Sequence, residues 1–320
     1  MESIMKIDQP LAKPKLDLGD RVFKGITLLS GGLIIVLMAG FFIQLVWQSL
    51  PAIERYGFDF LFSSDWDPVK EQYGAATSIY GTLVSTLIAM VIAVPLAFVI
   101  SLFLVELAPP TISKVMSQAL DLLAAVPSII FGMWGLFVFA PFMQDYVQPF
   151  LADTLGLGAT PLFDGEQMGI GIFTAGIILA LMILPFMSAV MRDVFRMVPS
   201  VVKEAAYGAG ATTWEVTKDV TLRYGMQGFL GAVFLGLGRA IGETMAILFV
   251  IGNTPQIKSS LFSSGTTISS TLANNFAEAD GIFQSVLFEL GLILLIISFA
   301  IQVVAQMWLN KVRKSTGGGL

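Results

Sequence analysis

The sequence has 320 residues, of which 55% are apolar and 13% are charged; its formal net charge is −5 and its mean hydropathy is +0.80. Water-soluble domains carry about 25% charged residues, so most of this chain is predicted to lie in membrane lipid. It contains no cysteine and no histidine, which excludes disulfides, Cys/His metal sites, thiol nucleophiles and histidine acid–base catalysis. The sequence has no block of basic residues that would indicate nucleic-acid binding. We expect no metal and no other cofactor.

Six apolar runs are long enough to cross a hydrocarbon core of about 30 Å, which takes about 20 helical residues. In chain order the predicted spans are 25–47, 79–105, 122–142, 168–191, 226–252 and 284–309. We therefore predict an all-α membrane protein with a polar tail (1–24), a first transmembrane helix (25–47) and a permease core of five further helices (79–309). The first run is too long for the apolar region of a signal peptide, so we interpret it as a membrane anchor.

Lysine and arginine are unevenly distributed over the connecting segments. Of the 18, fourteen lie on the side that carries both termini, three lie on the opposite side, and Arg239 lies inside a predicted span. Short loops rich in these residues stay in the cytoplasm. The distribution predicts a multi-pass protein of the bacterial inner membrane with both termini in the cytoplasm.

The segment 192–225, between the fourth and fifth spans, is the longest cytoplasmic connection. It is too apolar for a disordered linker, so we expect it to fold. Thr212 and Glu215 have the spacing of a capping box, which predicts a helix start. The preceding run of alanines and glycines, which includes Gly210, permits close approach by another surface. From the residues alone, the loop either packs on its own helix bundle or docks onto a partner.

Two charged residues lie inside the predicted fifth span. Arg239 is the fourteenth of its 27 residues, and Glu243 is predicted one turn later on the same helix face. An arginine at that depth costs about 2.5–3.5 kcal/mol, so both groups must face protein or water. One interpretation is a structural ion pair that fixes helix packing. The other is an anion contact on a translocation path, because a guanidinium offers a planar fork of donors.

The cytoplasmic segment resembles the EAA loop of ABC importer permeases. The residues that carry this resemblance are Glu204, Ala205 and Ala206, then Gly210, then Val220, Thr221 and Leu222. The family's usual proline in the next position is Arg223 here. The resemblance implies a type I ABC importer (MetI-like) permease fold. It also implies that Glu204, Ala205, Ala206 and Gly210 belong to a coupling loop that docks into the ATP-binding subunit.

A second resemblance extends along most of the chain. It rests on the runs AVPSIIFG at 125–132, GLGRAIGET at 236–244 and IGNTP at 251–255, which are similar to those of permease subunits of phosphate-specific ABC importers. The resemblance implies ATP-driven import of inorganic phosphate. It also implies a complex with a sister permease PstA, the ATP-binding subunit PstB and the phosphate-binding protein PstS.

Three alternatives are compatible with the residues themselves. A secondary transporter or channel could carry an intramembrane Arg/Glu pair, but it has no use for an ATPase docking loop. A permease for another oxyanion would need the same arginine. A membrane enzyme is disfavoured, because Glu243 and Glu289 are almost the only titratable groups in the spans. The chain also lacks a P-loop motif, so we expect it to be non-catalytic, with ATP hydrolysed by a partner.

Overall fold

The structure is a computed structural model that describes residues 18–315, with side chains through Lys311. The first seventeen residues of the predicted tail lie outside the described residues. The helices, in chain order, are α1 Leu18–Tyr56, α2 Asp59–Phe62, α3 Ala76–Leu107, α4 Pro110–Ala124, α5 Ser128–Thr154, α6 Ile172–Arg196, α7 Ser200–Gly208, α8 Thr213–Glu215, α9 Arg223–Ile241, α10 Met245–Leu248, α11 Ile268–Asn275 and α12 Gly281–Ser315.

Three kinds of minor element complete the chain. A two-stranded antiparallel hairpin, β1 Trp66–Asp67 and β2 Gln72–Tyr73, interrupts the otherwise helical fold. A 3-10 turn occupies Leu157–Ala159. A π-helical segment, Val216–Leu222, joins α8 to α9 without a break. Five described helices are long and apolar enough to span a membrane: α1, α3, α5, α6 and α12. The predicted class, a helical membrane protein, is confirmed.

The predicted third span, 122–142, is wrong in its limits. Helix α4 ends at Ala124, and α5 begins only at Ser128, directly after Pro127. Proline cannot donate a backbone hydrogen bond, and it disfavours the helical conformation for Val126 before it, so the chain turns here. The helix then continues to Thr154, beyond the predicted end, through three π-helical stretches.

The predicted fifth span, 226–252, is not one continuous helix. Helix α9 ends at Ile241, and α10 covers only Met245–Leu248. The chain then turns through Gly252, whose φ of +91° favours glycine, and a backbone bridge joins this residue to Gly265. Interrupted backbone at membrane depth is stable only where protein or a water-filled cavity surrounds it. The break therefore indicates an interior position for this part of the chain.

Helices α3, α6 and α9 form the centre of the molecule. In α6, 67% of the most apolar stretch is buried, the largest fraction among the five long helices. Small side chains on α3 let it approach α6 closely: Ala89, Ala93 and Ala97 are fully buried. At Gly81 the approach is closer still, since a Cβ there would lie 2.0 Å from the carbonyl oxygen of Thr266.

Helix α1 lies at the periphery and packs mainly against α12. None of its most apolar stretch is buried, and only Leu45, Ser49 and Ala52 are buried along its length. It runs beyond the predicted first span (25–47) at both ends. Near its C-terminal end, Ala52 joins a second core with Phe60, Tyr73 and residues of α12. The hairpin is therefore held between the ends of the first and last described helices.

Candidate translocation site and coupling loop

Arg239 lies in the last turn of α9, half-buried, with its guanidinium 5.2 Å from the centroid of the Phe186 ring on α6. The C-terminal end of a helix carries partial negative charge, which favours a cation at this position. Among residues 18–311, no carboxylate forms an ion pair with Arg239, and no side chain or carbonyl accepts a hydrogen bond from it. The guanidinium thus keeps its hydrogen-bond donors available.

Glu243 lies past the end of α9, so the prediction that it shares a helix face with Arg239 is wrong. The backbone of Gly242 leaves the helix, and the Glu243 Oε1 atom accepts a hydrogen bond from the Ala246 amide at 3.1 Å. A carboxylate is favourable beside the free amides of a helix start, as a cation is at a helix end. Each charged group is therefore stabilised by its own helix end, and the interpretation as a structural ion pair has no contact to support it.

A neighbouring contact holds α9 against α12. A Cβ at Gly238 would lie 2.6 Å from the Gln302 Nε2 atom, and that amide donates to the Phe234 carbonyl at 3.5 Å. Two residues earlier, Gly236 approaches the Met187 thioether of α6, since a Cβ there would lie 2.5 Å from its sulfur. Just before Arg239, the two glycines thus allow α9 to pack closely against α6 and against α12.

The coupling loop is shorter than the predicted 192–225, because α6 continues to Arg196. Helix α7 carries Glu204 and Ala205, both exposed, and Ala206, which is partly buried. It ends in a Schellman motif: the Gly210 amide donates to the Tyr207 carbonyl at 2.9 Å, and the Ala211 amide donates to the Ala206 carbonyl at 3.1 Å. This motif requires a left-handed residue, and Gly210 has φ +89°.

The chain then begins α8 with the predicted capping box, which is confirmed. The Glu215 amide donates to the Thr212 Oγ1 atom at 3.4 Å, and the Thr212 amide donates to the Glu215 Oε2 atom at 2.8 Å. The Glu215 carboxylate accepts hydrogen bonds from the Thr212 amide and from the Thr212 hydroxyl, and these two bonds lower its pKa below the ordinary value. Between the two helices lies a shallow groove of about 380 Å³, lined by Ala206, Ala209, Gly210, Ala211, Glu215, Val216, Asp219 and Val220.

Sequence reasoning missed two charged contacts beneath this loop. The Lys203 ammonium donates to the Glu106 Oε1 atom at 2.6 Å, and the Thr221 hydroxyl donates to the same oxygen at 2.7 Å. Lys203 and Glu106 are 97 residues apart, so no local pattern connects them. One signal for this pair was available: Glu106 lies near a helix C-terminus and Lys203 near a helix N-terminus, and the helix dipole disfavours each charge at that end.

The other missed contact joins α6 to α4. Arg192 is 5% exposed, and its guanidinium donates to Asp193 at 3.0 Å, to Asp121 at 3.2 Å and to the Ser117 carbonyl at 3.3 Å. From the next turn, Arg196 donates to the hydroxyls of Ser113 and Ser117. Two arginines that sequence reasoning assigned to the coupling loop therefore hold the end of α6 on α4.

The family of the chain follows from a comparison with known proteins. A family model described as the binding-protein-dependent transport system inner membrane component matches residues 80–314. The chain belongs to this family. The match begins inside α3 and includes the coupling loop, the Arg239 turn and α12. The family consists of membrane components of transport systems, so the chain is a multi-pass membrane transport subunit.

Individual relatives extend the likeness toward the N-terminal side. This chain is 49% identical over 300 residues to the phosphate transport system permease protein PstC of Haemophilus influenzae. The alignment covers 93% of this chain and 95% of that protein. A chain of a bacterial alginate ABC transporter, solved with a pentasaccharide-bound periplasmic protein, has a TM-score of 0.57 at 18% identity, covering 94% of this chain and 99% of that one. A chain of the MetNI methionine ABC transporter has a TM-score of 0.52 at 17% identity, covering 74% and 93%. The two structures confirm the predicted permease fold.

Proposed function

We propose that this chain is the membrane-spanning permease subunit of an ATP-driven importer for inorganic phosphate. The single observation that carries the substrate is the match along 93% of the chain to a permease named for phosphate transport. The chain supplies the path across the membrane and performs no covalent chemistry. A permease for another oxyanion is the outcome that the experiment below must distinguish.

Arg239 is the proposed anion contact on this path. Its guanidinium has no ion-pair partner among the described side chains, and it lies next to the break between α9 and α10. A planar fork of N–H donors fits two phosphate oxygens at once. Glu243 borders the same break, and its carboxylate is held by the Ala246 amide rather than by the arginine. A passing phosphate thus meets a cation that no carboxylate has already neutralised.

The coupling loop is the proposed contact with the ATP-binding subunit. Glu204 and Ala205 are exposed on α7, Gly210 is exposed in its turn, and Ala206 and Gly210 line the groove. The Schellman motif and the capping box give this surface a defined shape before any partner binds. We propose PstB as the ATPase that docks here, PstA as the sister permease and PstS as the phosphate-binding protein.

The proposed orientation places both termini and the coupling loop in the cytoplasm of a bacterial cell. The distribution of lysine and arginine supports it, because fourteen of the 18 lie on that side. The proposed division keeps the tail (1–24) and the first helix (25–47) apart from the permease core (79–309). This orientation puts the loop on the side where ATP is available.

The test is transport by the complete complex reconstituted in proteoliposomes with PstA, PstB and PstS. Radiolabelled phosphate and radiolabelled sulfate are supplied on the PstS side, with ATP and without it. We expect phosphate uptake that requires ATP and is not displaced by excess sulfate. Uptake of sulfate in preference to phosphate contradicts the substrate, and uptake without ATP contradicts the transport class.

A further inference from the structure

Beneath the coupling loop, one carboxylate joins three segments of the chain. Glu106 lies in the last turn of the continuous helix Ala76–Leu107, Lys203 in the first turns of α7, and Thr221 in the π-helical segment before α9. The Glu106 Oε1 atom accepts hydrogen bonds from the Lys203 ammonium at 2.6 Å and from the Thr221 hydroxyl at 2.7 Å. The side chains of Glu106 and Lys203 are 7% and 17% exposed, and Thr221 is fully buried.

The pair is not explained by the stability of either helix. A carboxylate at a helix C-terminus and an ammonium in the first turns of a helix both lie against the helix dipole. Removing two charges from water also costs free energy that their attraction only partly offsets, and apolar residues of the same size often serve stability as well or better. Stability does not account for this contact, so its role follows from the segments that it joins.

The contact connects the coupling loop to the helices of the proposed path. Lys203 points inward to Glu106, whereas the next residue, Glu204, is exposed on the surface proposed for the ATPase. Glu106 continues into α3, which packs along α6 through fully buried alanines. Thr221 continues directly into α9, which carries Arg239 in its last turn. One carboxylate thus connects α7 to both helices.

We propose that Glu106, Lys203 and Thr221, the inner link, are positioning residues that transmit movement of the coupling loop to α3 and α9. This inference rests on the proposed function, since it needs an ATPase that moves α7. A charge pair suits the role because it holds a fixed direction and register, whereas an apolar contact permits sliding. Loss of the inner link should leave ATP hydrolysis running while transport no longer follows it.

The experiment uses the complete complex in proteoliposomes and measures phosphate uptake and ATP hydrolysis together. The variants are Glu106→Gln, Lys203→Met and the exchanged pair Glu106→Lys with Lys203→Glu. The exchange keeps the pair satisfied, because the Thr221 hydroxyl can accept as well as donate. Lys114→Met is the matched control, since Lys114 is exposed on α4 and makes no ion pair among the described residues.

Energetic couplings between two sites typically correspond to factors of 5 to 150, so we expect phosphate imported per ATP hydrolysed to fall about tenfold in each single variant. The exchanged pair should recover most of the loss, and Lys114→Met should match the unmodified complex. The inference is overturned if both single variants assemble and keep the normal ratio. It is also overturned if they fail to assemble and the exchange restores assembly without restoring the ratio. If the unmodified complex hydrolyses ATP but imports no phosphate, the proposed function itself fails.

Discussion

The Arg239 guanidinium lies over the Phe186 ring, 5.2 Å from its centroid, and not against Glu243, four residues further along the chain. An aromatic face attracts a cation but supplies no hydrogen-bond acceptor and no negative charge. The ring therefore holds the guanidinium in place while its five N–H donors stay unused among the described residues. The position of the guanidinium over this ring determines what we expect from substitutions of Arg239 and Phe186.

Replacing Arg239 should strongly reduce transport without harming the fold. Arg239→Gln leaves no buried carboxylate unpaired, because Glu243 is bonded to the Ala246 amide. Hydrogen bonds to charged groups contribute about 1.5–3 kcal/mol each, so uptake should fall about 10- to 100-fold. Arg239→Lys should recover little, since an ammonium lacks the planar fork. The measurements are phosphate uptake and co-purification of the partner subunits. Normal uptake by Arg239→Gln in an assembled complex contradicts the anion contact.

Substitution of Phe186 should have a weaker effect of the same kind. Cation–π contacts contribute about 0.5–2 kcal/mol, so Phe186→Leu should raise the phosphate concentration for half-maximal uptake about 2- to 30-fold. Phe186→Tyr keeps the ring and serves as the control. If the leucine and tyrosine variants have the same concentration dependence, the ring does not position the guanidinium.

Gly210 should be sensitive to substitution because of its backbone, not because of crowding. A Cβ at Gly210 would meet no atom within 4 Å, but its φ of +89° disfavours every residue with a side chain. Gly210→Val should therefore distort the Schellman turn and weaken capture of the ATPase by the permease. Gly208→Ala is the control, since Gly208 is helical and equally uncrowded. Equal ATPase binding by both variants argues against this turn as part of the docking surface.

Close packing of α3 on the segment before α11 gives a prediction for stability. A Cβ at Gly81 would lie 2.0 Å from the Thr266 carbonyl oxygen, and backbone cannot move aside as a side chain can. Gly81→Ala should cost about 1–3 kcal/mol, as overpacking usually does. Gly40→Ala on α1 is the control, because a Cβ there meets nothing nearby. Thermal unfolding of the detergent-solubilised protein should shift downward for Gly81→Ala alone.

The isolated chain should hydrolyse no ATP. Its sequence contains no Gly-x-x-x-x-Gly-Lys-Ser/Thr loop, which is the phosphate cradle of P-loop ATPases. Phosphate-dependent hydrolysis should therefore appear only when PstA, PstB and PstS are added. The measurement is phosphate release from ATP by the pure chain and by the assembled complex. Robust release by a pure preparation, retained after every trace of partner is removed, would contradict a non-catalytic role.

Hydropathy was sufficient to predict the long helices, because burial in lipid depends on local composition. The predicted runs 79–105, 168–191 and 284–309 lie mostly within α3, α6 and α12. The capping box at Thr212 was also predictable, since its hydrogen bonds join residues three apart. Both features depend on sequence neighbours alone.

Breaks within apolar segments are harder to predict, because hydropathy does not detect where the chain turns inside an apolar run. Pro127 directly precedes a helix start and Gly242 directly follows a helix end, both inside runs that remain apolar on either side. The pairing of Arg239 with Phe186 and of Lys203 with Glu106 depends on which helices pack together. Such contacts need the tertiary arrangement, and the residues alone left the two interpretations of Arg239 undecided.

The pairing of α1 with α12 has a consequence for biogenesis. Helix α1 is synthesised before the other described helices, yet it packs mainly against α12, which is synthesised after all of them. Because an apolar helix is stable in lipid by itself, α1 can remain in the bilayer as a separate transmembrane helix until α12 is inserted. The lateral association of α1 with α12 is thus delayed until α12 has been inserted.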